Sequence, residues 1–208
     1  ADYLKMVSSV RVAPSINIKL YIMLALVLFF VIGCCGAVLL GRLSDIVDYL
    51  LYVDKKTGLP NREKLNIYIG EMAGKVLPEA FTCFTLNLDN LSELTKRFGY
   101  TVGDGVLKDF AGLVQLMGDT EGMRGYNGVG RFVVFFEECS SKKAAAMIRI
   151  LDNQVEEYNS LNPEYPIRYT AAWATTEETD TYEIRELLRL SQKKWKQMEK
   201  AKEQSSYS

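Results

Sequence analysis

The sequence predicts an α+β fold: a mostly antiparallel central sheet flanked by helices, preceded by one N-terminal transmembrane helix. Three observations carry that prediction. No charged residue occurs between Leu20 and Gly41. The stretch Gly125-Tyr126-Asn127-Gly128-Val129-Gly130-Arg131, followed by the apolar run Phe132–Phe136, reads as a β-hairpin. Asn127-Gly128 would supply the positive φ angles that tight hairpins require. The remaining periodic segments give the order helix, strand, helix, helix, hairpin, helix, strand, helix, which suits a sheet covered by helices.

Residues 1–19 form a juxtamembrane segment, and Pro14 within it favours an extended approach to the bilayer. Residues 20–41, bounded by Lys19 and Arg42, are the transmembrane helix. At about 1.5 Å per residue they reach across a hydrocarbon core of roughly 30 Å. A secretory signal peptide has a shorter apolar run. Charge does not orient the span, since Lys5, Arg11 and Lys19 before it balance Arg42, Lys55 and Lys56 after it.

Residues 42–56 continue as a linker helix with Leu43, Ile46, Val47, Leu50 and Leu51 at helical spacing. Gly58-Leu59-Pro60 breaks it, and Asn61 caps the next helix, about 62–74. Phe81–Asp89 lacks polar/apolar alternation and suits a buried central strand. A short helix is expected over 90–98 and a longer one over 103–117, with Val106, Leu107, Phe110 and Leu113 inward. After the hairpin comes a helix over 140–158 with an alanine-rich apolar face. A strand over 165–175 follows. Asp180 then caps a last helix running toward Glu203, whose lysines 193, 194, 196, 200 and 202 read as a solvated face, and 204–208 form a polar tail.

Composition narrows the function classes. A net charge of −1 argues against a nucleic-acid partner, which would call for a basic face. The absence of histidine removes imidazole general bases, imidazole metal ligands and imidazole pH switches. Cys34, Cys35, Cys83 and Cys139 contain no CxxC pair and suit a reducing compartment better than a disulfide framework. The chain opens on Ala1 rather than Met, which reads as a fragment or processed product.

Two stretches upstream of the hairpin give it meaning. One is Thr57-Gly58-Leu59-Pro60-Asn61-Arg62. The other is Phe84-Thr85-Leu86-Asn87-Leu88-Asp89 followed by Phe98-Gly99 and Gly103-Asp104. Together they resemble the GGDEF family, the diguanylate cyclase domains, over residues 57–203. The membrane part also resembles, more faintly, the second membrane helix of polysaccharide co-polymerases, the chain-length regulators.

The GGDEF resemblance implies a nucleotidyl-cyclase-like sheet on the cytoplasmic side of the inner membrane, which makes residues 1–19 an extracytoplasmic juxtamembrane segment. Active members transfer a phosphoryl group from one GTP to the 3′-hydroxyl of another and need divalent metal. The resemblance places the family's metal-binding acids at Asn87, Gly130 and Arg131, so no metal or other cofactor and no catalytic residue is expected. The turn Gly128-Val129-Gly130-Arg131-Phe132 stands as a degenerate form of the signature, with Val129 intruding on substrate.

Asp89 shares a pleat direction with Asn87 and stands either as one carboxylate ligand or as a structural hydrogen-bonding group. Thr95 occupies the position of a guanine-contacting Asn, whereas Asp104 is retained and would accept from guanine or cap its helix. The phosphate-contacting lysine of a Tyr-x-Ala-Lys pattern is replaced around Trp195-Lys196-Gln197-Met198, and Asp119-Thr120-Glu121-Gly122 replaces the inhibitory Arg-x-x-Asp.

The expectation is therefore a membrane-anchored domain that is not an enzyme and acts in signalling, regulation or assembly. Its partners would be the lipid bilayer and a protein partner, or a second copy, met through the linker helix. The alternative is a non-catalytic receptor for GTP or cyclic di-GMP that regulates envelope polysaccharide synthesis or export. In that reading Arg131 takes over the metal's positive charge against a phosphate, with Asp104 as the second nucleotide contact.

Overall fold

A strand covered on both faces has no solvated side on which to place polar residues. Phe84, Leu86 and Leu88 therefore point to one layer of helices and Cys83 and Thr85 to another, all of them buried. That strand, β1 (Thr82–Leu88), is central in the computed structural model, which describes residues 18–118 and 122–206. The other strands are β2 (Gly122–Tyr126), β3 (Arg131–Phe136) and β4 (Tyr169–Thr175). They form one sheet in the order β2-β3-β1-β4, with every pair antiparallel.

The chain divides into two units, 1–48 and 49–208. In the first, α1 (Ile18–Tyr52) carries the apolar run and continues into the second unit. It is long and apolar enough to cross a membrane, and none of its residues is buried by protein. The expected stripe of Leu43, Ile46, Val47, Leu50 and Leu51 is exposed along it. Residues 1–17, including the Pro14 approach, lie outside the described residues, as does the Asp119–Glu121 part of the loop before the hairpin.

In the second unit, α4 (Tyr100–Gln115) and α5 (Ser141–Leu161) cover one face of the sheet. They bury Val106, Leu107, Phe110, Met147 and Leu151 against Phe84, Leu86, Phe132, Val134 and Phe136. On the other face, α2 (Arg62–Met72) and α7 (Ile184–Ser206) bury Leu65, Ile184 and Leu187 against Cys83, Val133, Phe135 and Ala174. The short α3 (Leu91–Phe98) packs on α4, where a Cβ at Gly103 would lie 2.3 Å from Thr95 Oγ1. Two tyrosines tie α5 to its neighbours. Tyr158 donates to Asp109 Oδ2 at 2.9 Å, and burial followed by that carboxylate pushes its pKa up to about 12. Tyr169 donates to Asp152 Oδ1 at 2.6 Å and is raised for the same reasons.

Asn61 caps α2 as expected, its side chain accepting from Lys64 N, and Ser140 caps α5 through Lys143 N. Three expectations need correction. Asp104 does not begin its helix: α4 starts a turn earlier, with Gly99 at φ +88° as the residue that ends α3 and opens α4. Asp180 does not cap the last helix. It sits at φ +51° closing the one-turn α6 (Thr176–Thr179), and the Glu183 carboxylate accepts from Glu186 N at the head of α7. The hairpin turns at Gly128-Val129-Gly130, with φ of +84°, +52° and +75°, one residue later than Asn127-Gly128. The last helix also runs through the start of the expected polar tail, to Ser206.

Candidate functional site at the ends of β1 and β3

Alternation along β1 and β3 decides which residues meet. Asn87 and Arg131 are register partners and lie on the sheet face that α7 covers. The Asn87 amide donates to Asp89 Oδ1 at 2.9 Å. Asp89 Oδ2 in turn accepts from Thr170 Oγ1 at 2.6 Å and faces Lys202 Nζ at 3.5 Å. Lys202 also donates to Thr170 Oγ1 at 2.6 Å and to the Tyr169 carbonyl at 3.0 Å. These groups, with Asn90, Glu93 and Arg168, line an open cleft of about 670 Å³. Arg168 ion-pairs with Glu93 at its rim.

The reversal between β2 and β3 packs against the end of β1. Leu88 N donates to the Gly130 carbonyl at 2.8 Å, and a Cβ at Gly130 would lie 3.1 Å from Leu88 O. Together with a φ of +75°, that close approach explains glycine there. Val129 is 81 % exposed and projects into solvent from the turn. Phe132 is fully buried, meeting Phe110 edge-on at 5.3 Å, so it belongs to the core rather than to the cleft.

Asp104, the other candidate nucleotide contact, stands apart from this cleft. Its Oδ1 accepts from Lys56 Nζ at 2.8 Å, and that hydrogen bond raises the Lys56 pKa above its ordinary value. Lys56 is placed by the turn before α2, where Asp54 Oδ1 accepts from the amides of Lys56 and Thr57. Thr95 turns its hydroxyl back onto the Leu91 carbonyl at 2.8 Å within α3.

The three positions to which the resemblance assigns acids hold an amide, no side chain and a guanidinium. Hard divalent cations take carboxylate and carbonyl oxygens, and Asp89 already faces Thr170 and Lys202. Among the described residues no group of three His, Cys, Asp or Glu could hold a metal ion. This donor set does not fit Mg²⁺.

Sequence reading missed Lys202, which it placed on a solvated face. A signal was available. Trp195 is buried, and position 202 lies two helical turns further on, so both fall on the side of α7 that meets the sheet. Thr170, paired opposite Asn87 on β4, was missed because a central strand of small and aromatic residues does not mark one threonine as different.

The sequence model of the family described as diguanylate cyclase, GGDEF domain, matches residues 51–206. No curated protein matches the chain. Among solved structures, the coiled coil and GGDEF domain of DgcB from Caulobacter crescentus, in complex with c-di-GMP, is 14 % identical with a TM-score of 0.63. The match covers 81 % of this chain and 91 % of that one.

The active GGEEF domain of a diguanylate cyclase from Vibrio cholerae is 19 % identical with a TM-score of 0.54, over 59 % and 78 % of the two chains. The Vibrio cholerae LapD S helix-GGDEF-EAL structure bound to c-di-GMP is 14 % identical with a TM-score of 0.53. There the match covers 65 % of this chain but spans only 31 % of the LapD chain. At these identities the structures establish the fold.

Two expectations are corrected by these matches. The domain has the diguanylate cyclase fold and the family matched is enzymatic, which overturns the expectation that the chain is not an enzyme. Side chains exchanged at three positions leave intact the backbone architecture that defines that class. The resemblance to polysaccharide co-polymerases finds no support in either comparison.

Proposed function

The chain belongs to the GGDEF family, and on that premise we propose that it binds a guanine nucleotide, GTP or cyclic di-GMP, as a signalling domain tethered to a membrane by α1. The observation that carries the binding reading is the cleft at the end of β1. Its volume of about 670 Å³ falls within the roughly 300–1,000 Å³ typical of small-molecule sites. Lys202 supplies a cation for phosphate there, while Asn87 and Asp89 supply an amide and a carboxylate for base or ribose. Neighbours of the same fold are described as bound to c-di-GMP.

Replacing Lys202 tests the cleft. Lys202→Ala is expected to weaken GTP binding by the full chain about tenfold, the loss of one charge-assisted contact. Its thermal unfolding midpoint should shift only slightly, because the side chain is 59 % exposed and its ion pair with Asp89 is solvent-screened. GTP binding that is indifferent to this substitution would remove the cleft from the account.

Support for the tether is the length of α1: its 35 residues extend about 50 Å, against a hydrocarbon core of roughly 30 Å. In cells expressing the chain, alkaline carbonate should leave it in the membrane pellet. Release into the supernatant would contradict the tether. The GGDEF domain would then face the cytoplasm, where domains of this family usually lie.

A further inference from the structure

The core uses only one side of α7. Ile184, Leu187, Ser191 and Trp195 recur at helical spacing and are all buried. On the opposite side stand Arg189, Lys193, Lys196 and Lys200, at i, i+4, i+7 and i+11 and all exposed. With Gln192 and Gln197 they line an open groove of about 370 Å³ in which no carboxylate stands. Along α7 there are seven basic residues and three acidic ones, in a chain whose net charge is −1. Glu186 ion-pairs with Arg189 at 2.6 Å, while Lys193, Lys196 and Lys200 form no ion pair among the described residues. Glu199 lines the cleft that holds Lys202 instead.

Like charges one helical turn apart repel each other, and an anionic surface laid along the row would relieve that repulsion. At about 1.5 Å per residue the row extends about 16 Å, which suits an extended surface better than a single phosphate. The apolar side of α7 is already committed to the sheet, so the helix cannot bury itself among acyl chains. Its basic side can only lie on headgroups.

We propose that this face docks the domain on the anionic headgroups of the bilayer that α1 crosses. The inference rests on the tether proposed above. Only residues 42–48 separate the charge-free run from the unit that carries α7, which keeps that unit close to a lipid surface. Each basic residue at such a surface is worth about a fivefold gain in affinity, fading beyond a Debye length of about 8 Å. Four in one row therefore discriminate an anionic membrane from a zwitterionic one.

The test is lysine acetylation of the full chain in lipid nanodiscs, read residue by residue by mass spectrometry. The discs hold phosphatidylcholine alone, or phosphatidylcholine and phosphatidylglycerol in equal parts. In the mixed discs Lys193, Lys196 and Lys200 should react at least about fivefold more slowly. Lys108, exposed on α4 across the sheet, should react alike in both. Raised KCl should abolish the difference. Arg189→Glu reverses the one member of the row that acetylation does not report, and should cut the protection at least about threefold. Lys142→Glu on α5 should leave it unchanged.

Equal reactivity in the two kinds of disc, or protection indifferent to Arg189→Glu, overturns the proposal. So does protection by soluble heparin without protection by phosphatidylglycerol, which would assign the face to another macromolecule. A chain that fails to enter the discs refutes the tether. One that enters them with these lysines unprotected refutes the docking alone.

Discussion

Phe110→Ala is expected to destabilise the folded domain by about 3–5 kcal/mol, the range for deleting a fully buried aromatic ring. Phe110 has no exposed surface and is the largest side chain that α4 contributes to the core. Its ring meets Phe132 at 5.3 Å and Tyr169 at 5.3 Å, joining α4 to the strands on both sides of β1. No flexible neighbour stands ready to refill that volume, because the contacts are themselves rings in fixed strands. Denaturant unfolding measures the loss. A change below about 1 kcal/mol would mean that α4 is not packed on the sheet as described.

Gly125→Val is expected to cost about 2–3 kcal/mol through overpacking. Gly125 is a buried residue of β2, and a Cβ there would lie 2.4 Å from Leu65 Cγ and within 2.7 Å of both Leu65 methyl carbons. Leu65 is itself 2 % exposed on α2, so it has little room to retreat. The segment is also held from the other side, where Tyr126 N donates to the Pro60 carbonyl at 2.8 Å. Either α2 moves off the sheet or β2 leaves its ladder, and both outcomes lower the unfolding midpoint. A variant as stable as the parent would contradict the close approach of α2 to β2.

Much of the fold was legible because burial leaves a periodic trace. Asn61 announced its helix by cap chemistry, and the unalternating Phe81–Asp89 run announced a strand covered on both faces. The misplaced details lie at the ends of elements, where the choice among neighbouring polar caps and positive-φ residues decides the boundary. Glu183 rather than Asp180 took the head of α7, and Gly99 rather than Asp104 opened α4.

The candidate site was legible only in part. Asn87 and Arg131 were placed together by the family resemblance, and the structure pairs them in the β1–β3 register. Lys202 was not, because it reaches the sheet from the far end of the chain and only the packing of α7 brings it there. Asp104 and Arg131, grouped as nucleotide contacts, are separated by the sheet: one pairs with Lys56, the other faces Trp195.

The central claim, that this chain is a guanine-nucleotide-binding member of its family, is tested most directly by calorimetric titration of the unmodified full chain. Micelle-solubilised protein would be titrated with GTP and, separately, with cyclic di-GMP. The account predicts saturable binding of at least one of them at micromolar strength, persisting when divalent metal is chelated, because Lys202 and Arg131 rather than a metal ion carry the positive charge. No heat from either nucleotide, or binding that vanishes with the metal, would contradict it.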